Sequence, residues 1–128
     1  MLRSLLFYLI LFLATVFCSI AAICAALVTR GGNGSHLVGR LWSRIMLFTS
    51  GVKVQVEGLH NINPKEAYVF AANHQSQFDI FTILGYLPTQ FRWLAKKELF
   101  RIPIFGAAMK GAGYISIDRS NRKEAFKS

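Results

Sequence analysis

From Ser4 to Thr29 no charged residue interrupts the chain, and a helix over Leu5 to Val28 would be about 36 Å long, enough to cross a hydrocarbon core of about 30 Å. The stretch reads as a membrane anchor. Ala21, Ala22, Ala25 and Ala26 supply the small residues of a signal peptide, but a secretory apolar region is usually only about 7 to 15 residues long, so the uncleaved anchor is preferred. A shallow helical hairpin in one leaflet is the alternative topology. Gly31 to Ser35 form a flexible break, after which Leu37, Val38, Leu41, Trp42, Ile45, Met46 and Phe48 recur with helical period while Arg40 and Arg44 share a face. This predicts an amphipathic helix in the membrane interface, or packed on the anchor or core, ending at Gly51.

Period two then takes over. Val52, Val54 and Val56 alternate with Lys53, Gln55 and Glu57, which predicts a strand with one buried face. A turn at Asn61, Asn63 and Pro64 leads to a near-continuous apolar strand over Ala67 to Ala72. Gln77 to Leu87 is apolar around most of a helix and is closed by Pro88. Phe91 to Lys96 is a third strand. Pro103 opens a short helix to about Gly111, and Tyr114 to Asp118 alternates as a fourth strand, with a further helix beginning at Ser120. The expected fold is α/β: a mixed sheet with flanking helices, preceded by an N-terminal membrane helix and an amphipathic helix. Residues 1–50 are expected to form the membrane part and residues 51–128 a soluble domain.

Composition narrows the partners. Hydrophobic residues make up 53% of 128 and the net charge is +9, with Arg3, Arg30, Arg40 and Arg44 but no acidic residue before Val52. Basic residues beside a long apolar segment face anionic lipid rather than nucleic acid. Arg30, Arg40 and Arg44 follow the anchor and only Arg3 precedes it, which puts the remainder of the chain in the cytoplasm. Cys18 and Cys24 fall inside the apolar segment and read as small membrane-buried residues; no zinc spacing is present.

The candidate chemistry lies in FAANHQSQFD, Phe70 to Asp79. A histidine whose tautomer is fixed by a carboxylate can take a proton from a hydroxyl near neutral pH. Positions five apart on one helix point about 140° away from each other, so His74 and Asp79 need a turn to meet. Ser76 and Asp79 supply one as a Ser-x-x-Asp capping pair. Ser76 would be the N-cap, Asp79 would sit in the first turn, and His74 would lie just outside it with its ring folded back. The pair alone is a weak motif, since Asp79 could serve only as a cap.

Asn73, His74, Ser76 and Asp79 together resemble the N-H-x-S-x-x-D signature of the glycerolipid acyltransferases, the family of the bacterial 1-acyl-sn-glycerol-3-phosphate acyltransferases. A second block agrees in order and spacing: Lys97, Glu98, Leu99, Pro103 and Gly106, then GYISIDR from Gly113 to Arg119. The resemblance spans about residues 37 to 128 and implies transfer of a fatty acyl group to the free hydroxyl of 1-acyl-sn-glycerol 3-phosphate. The donor it implies is acyl-CoA or acyl carrier protein, with no metal or redox cofactor. His74 would be the general base and Asp79 its orienting partner, with backbone N–H groups at the helix start as oxyanion donors. Arg119 would hold the acceptor phosphate, and Asn73 and Ser76 would complete the substrate-binding set. Other lysolipids, glycerol 3-phosphate, or a non-catalytic lipid-binding role are the competing readings. The resemblance places the protein in a membrane, its active domain on the cytoplasmic side, as in a bacterial inner membrane. The family's third block, Glu-Gly-Thr-Arg, does not occur here, so the domain is expected to be C-terminally incomplete.

Overall fold

The computed structural model of the protein describes residues 2–63 and 65–118. Its first element is α1, Leu2–Val28, in the apolar stretch that the absence of charge predicts. The chain reverses within the short 3-10 turn Arg30–Gly32, and α2, Asn33–Ser50, packs against α1. The reversal needs glycine twice. Gly31 and Gly32 take φ of 68° and 73°, and a Cβ on Gly32 would lie 2.6 Å from the backbone of Ala112. The break is therefore shorter than the composition of Gly31 to Ser35 suggests, because Asn33, Gly34 and Ser35 already belong to α2.

Two polar contacts tie α1 to α2. Ser35 Oγ donates to the Ala22 carbonyl at 2.6 Å, and Trp42 Nε1 donates to Thr15 Oγ1 at 3.1 Å. The buried residues of α2 are Ser35, His36, Ser43, Met46 and Leu47, whereas Leu37, Leu41 and Phe48 are exposed. The predicted apolar stripe is thus split. Gly34 and Ser35 let α2 approach α1 closely beside Ala22 and Ala25. Arg40 and Arg44 do not act as a matched basic flank: Arg44 Nε donates to the Gly85 carbonyl at 2.9 Å, with its guanidinium 5.6 Å from the centre of the Tyr86 ring.

Helix α3, Gln77–Tyr86, closes over α2. Met46, Leu47 and Phe81 form the core where the two meet, with Trp42, Ile45 and Phe78 packed around them and Ile10, Leu11 and Ala14 reaching in from α1. Full burial of side chains of this size is worth about 1.5–3 kcal/mol each.

The sheet is smaller than expected and parallel. Strands β1, Leu94–Lys96, and β2, Ile115–Ile117, pair in the register Leu94 to Ile115 and Lys96 to Ile117. The segments 52–57 and 67–72 run without strand pairing among the described residues, so the mixed four-stranded sheet is corrected to a parallel pair. Apolar alternation says which face a strand would bury but cannot supply a partner, and a strand is defined by its hydrogen-bonded neighbour. Val69, 96% exposed, shows one apolar residue left uncovered.

The β1-to-β2 connection holds a 3-10 turn, Lys97–Arg101, and α4, Phe105–Gly111. The helix begins two residues after Pro103, because Ile104 (φ 63°, ψ −57°) makes a γ-turn in which Phe105 N–H donates to the Pro103 carbonyl at 2.6 Å. A β-branched residue held there costs on the order of 1–3 kcal/mol. Gly106 follows because the Phe100 backbone leaves no room for a Cβ. Pro64, Arg119 and the helix expected from Ser120 lie outside the described residues.

Candidate active site

The turn before α3 assembles as the Ser-x-x-Asp spacing predicts. Ser76 is the N-cap, and its Oγ accepts from the Phe78 N–H at 3.1 Å. In return the Asp79 carboxylate accepts from the Ser76 N–H at 2.8 Å, completing the capping box. The same oxygen, Oδ2, accepts from the Gln75 N–H at 2.6 Å and meets His74 Nδ1 at 3.2 Å. His74 sits outside the helix with its ring over the first turn.

This clustering has an electrostatic consequence. The Ser76 N–H, then the Gln75 N–H, then His74 hold the Asp79 carboxyl below its ordinary 3.8, because each donor favours the charged form. Asp79 is therefore an anion that both caps the helix and orients the ring. The His74 and Asp79 side chains are 52% and 33% exposed, so the dyad is open to a ligand. Contact through Nδ1 leaves Nε2 as the ring atom that can meet a hydroxyl. The expectation for oxyanion donors is narrowed: the Gln75, Ser76 and Phe78 N–H groups are spent within the turn, leaving that of Gln77.

Of the remaining predicted residues, Asn73 is exposed in the extended segment just before His74, Ser76 caps the helix, and Arg119 lies outside the described residues. The two halves of the second block do meet, since Lys97 Nζ is ion-paired with Asp118 at the ends of the parallel strands.

A second histidine environment is invisible in the sequence. His36 is fully buried, with Nδ1 3.2 Å from the Tyr114 hydroxyl and its ring edge-on to Phe91. Burial first, then Arg92 and Arg40, push its pKa down to about 4. Burial also raises the Tyr114 pKa, so the hydroxyl keeps its proton and we assign it as donor to the neutral ring. The Thr89 carbonyl supports the ring only weakly, and Nε2 has no partner with hydrogen-bond geometry among the described residues. Beside this pair Arg92 clamps the helix reversal, donating to the Gly31 carbonyl and to Asn33 Oδ1, each at 2.6 Å. These partners lie about sixty to eighty residues apart in sequence, so no short motif could have shown them.

Comparison with known proteins decides the family, as residues 53–128 match the acyltransferase family model. The chain belongs to the acyltransferase family. The matched span contains the whole His74–Asp79 turn and both halves of the second block. Among curated members of the family, the chain is 35% identical over 85 residues to the chloroplastic 1-acyl-sn-glycerol-3-phosphate acyltransferase of Arabidopsis thaliana, covering 66% of this chain and 23% of that protein. It is 34% identical over 107 residues to the 1-acyl-sn-glycerol-3-phosphate acyltransferase of Saccharomyces cerevisiae, covering 84% and 35%. With the human alpha form it shares 33% over 118 residues, covering 91% and 40%. The chain thus spans between about a quarter and two fifths of the length of these relatives. No solved structure matches it.

Proposed function

We propose that this acyltransferase-family chain carries the catalytic base for moving a fatty acyl group from a thioester to the free hydroxyl of 1-acyl-sn-glycerol 3-phosphate, giving phosphatidic acid. The observation that carries the reading is the contact between His74 Nδ1 and an Asp79 carboxylate already fixed by two backbone N–H groups. His74 Nε2 takes the hydroxyl proton, and the oxygen so exposed attacks the thioester carbonyl carbon. The tetrahedral intermediate collapses with cleavage of the carbon–sulfur bond, and the imidazolium returns its proton to the departing thiolate. Asp79 keeps Nδ1 protonated and stabilises the imidazolium, and the Gln77 N–H faces the developing oxyanion. Arg119 binds the acceptor phosphate, and the donor is acyl-CoA or acyl carrier protein. The names of the relatives support the acceptor. The exposed apolar faces of α1 support a membrane site of action, and Arg30, Arg40 and Arg44 support its cytoplasmic side.

The test is acyl transfer to lysophosphatidic acid from acyl-CoA or acyl carrier protein, comparing the protein with its His74→Ala variant. Loss of a general base lowers turnover by about 10²–10⁴-fold. Turnover in the variant close to that of the parent would remove His74 from the chemistry.

A further inference from the structure

We propose that the segment Leu99–Ile104 is a second lipid-contacting element, which enters the headgroup region of an anionic membrane beside α1. Leu99, Ile102 (47% exposed) and Ile104 (42% exposed) present apolar side chains outward from the β1-to-α4 connection. The backbone holds them there. The γ-turn at Ile104 divides the segment, leaving Ile104 outside while Phe105 turns inward to within 6.0 Å of Trp42, centre to centre. Exposing a β-branched residue from a conformation that favours glycine gains nothing in water, whereas lipid gives that side chain an apolar surrounding.

What covers the segment follows from its neighbour. Residues 102–105 and Phe12, Thr15, Val16 and Ser19 of α1 line one apolar cleft of about 180 Å³. Phe12 is itself 66% exposed, so the apolar surface runs from the membrane-length helix onto the loop without a polar gap between them. Lys96, Arg101 and Lys110 are exposed on the same connection against one exposed acid, Glu98, a balance that suits anionic headgroups. The cleft also fixes how α1 lies. It meets the middle of α1, and a membrane-crossing pose would carry the exposed Arg101, next to Ile102, toward the centre of the hydrocarbon, where a charged side chain is costly. We therefore seat α1 along the membrane boundary, with its exposed face and the loop on one side, in place of the crossing anchor that its length predicts. The inference rests on α1 being seated in the membrane, which the experiment checks separately.

In a Cys18→Ala, Cys24→Ala background of the full chain, single cysteines at Phe17, Ile102 and Lys65 are labelled with an environment-sensitive fluorophore. Each labelled protein is added to vesicles of phosphatidylglycerol and phosphatidylcholine with nitroxide groups at shallow or deep positions. The label at 102 is expected to shift to the blue and to be quenched by the shallow nitroxide, like the label at 17, while the label at 65 shows neither change. If 17 is quenched and 102 behaves as 65, the loop is not a lipid contact and the inference is overturned with α1 still in the membrane. If 17 is not quenched, the membrane reading of α1 fails and the inference falls with it. Quenching at 102 that is stronger from the deep nitroxide than from the shallow one would overturn the boundary seat.

Discussion

Two histidines in this chain each place Nδ1 3.2 Å from an oxygen, and they serve opposite ends. His74 meets the carboxylate of a residue five positions away, is half exposed, and belongs to a turn whose hydrogen bonds are all local. His36 meets a tyrosine 78 positions away, is fully buried, and stands where α2 and the two ends of the parallel pair converge. A short local loop loses little entropy on closing, so the His74 turn can form with few tertiary contacts. The His36 environment exists only in the assembled fold. The buried His36 ring resists protonation. The same contact distance thus accompanies an exposed ring that we propose for proton transfer in one place and a neutral, packed ring in the other.

The largest stability effect should separate the pair. His36→Ala leaves a cavity and an unpartnered Tyr114 hydroxyl, for a loss of about 2–4 kcal/mol. His74→Ala, at an exposed site, should stay within about 0.5 kcal/mol of the parent. Urea unfolding in detergent measures both, and equal losses would mean that His74 is structural.

Acid sharpens the contrast. The pKa of His36 falls from an ordinary 6.5 to about 4 on folding, so between those values the unfolded chain binds more protons and stability declines as the pH drops. At about 1.4 kcal/mol per unit the loss approaches roughly 3 kcal/mol by the time the folded pKa is reached. Asp79 is depressed from 3.8, so its contribution is present above that value and is lost only as the pH falls further, through its folded pKa. The two windows do not overlap. Unfolding free energies measured from pH 7 to 4 should therefore slope downward in the parent and flatten in His36→Gln; an unchanged slope would show that His36 is not the titrating group.

The smallest effect concerns the cap. Ser76→Ala removes the oxygen that accepts from Phe78 and should cost about 0.5–2 kcal/mol, with the Asp79 contacts to Gln75 and Ser76 N–H retained because they use backbone donors. Helix α3 would fray at its start, read as faster amide exchange at Phe78, while His74 keeps its partner.

The difference between the histidines also explains what the sequence could disclose. Apart from the Gln75 N–H bond to Asp79, the His74 turn was legible as a capping pair with the ring folded over it, because the pair and its loop lie within six residues. So was α1, from the length of its uncharged run, and α3, from apolar residues bounded by Ser76 and Pro88. The sheet was overread because alternation at Val52, Val54 and Val56 names a face and not a partner. The buried side of α2 was misjudged for a related reason: Ser35, His36 and Ser43 look like surface residues until Ala22 of α1, Tyr114 with Phe91, and Gly85 of α3 respectively close over them. The helix start at Phe105 was missed because nothing in Pro-Ile-Phe-Gly marks a left-handed isoleucine. Lys97 and Asp118 lie 21 positions apart, and their ion pair became visible only once β1 and β2 were placed side by side.

The central claim is that His74 faces substrate and His36 faces only protein, and acylation by diethylpyrocarbonate tests it in one experiment. Each histidine's modification rate is followed by mass spectrometry of peptides, with and without lysophosphatidic acid. The account predicts rapid modification at His74 that lysophosphatidic acid suppresses, and no modification of His36 while the chain stays folded. Modification of His74 at the same rate in saturating lysophosphatidic acid, or a His36 that reacts as fast as His74 in the folded protein, would contradict it.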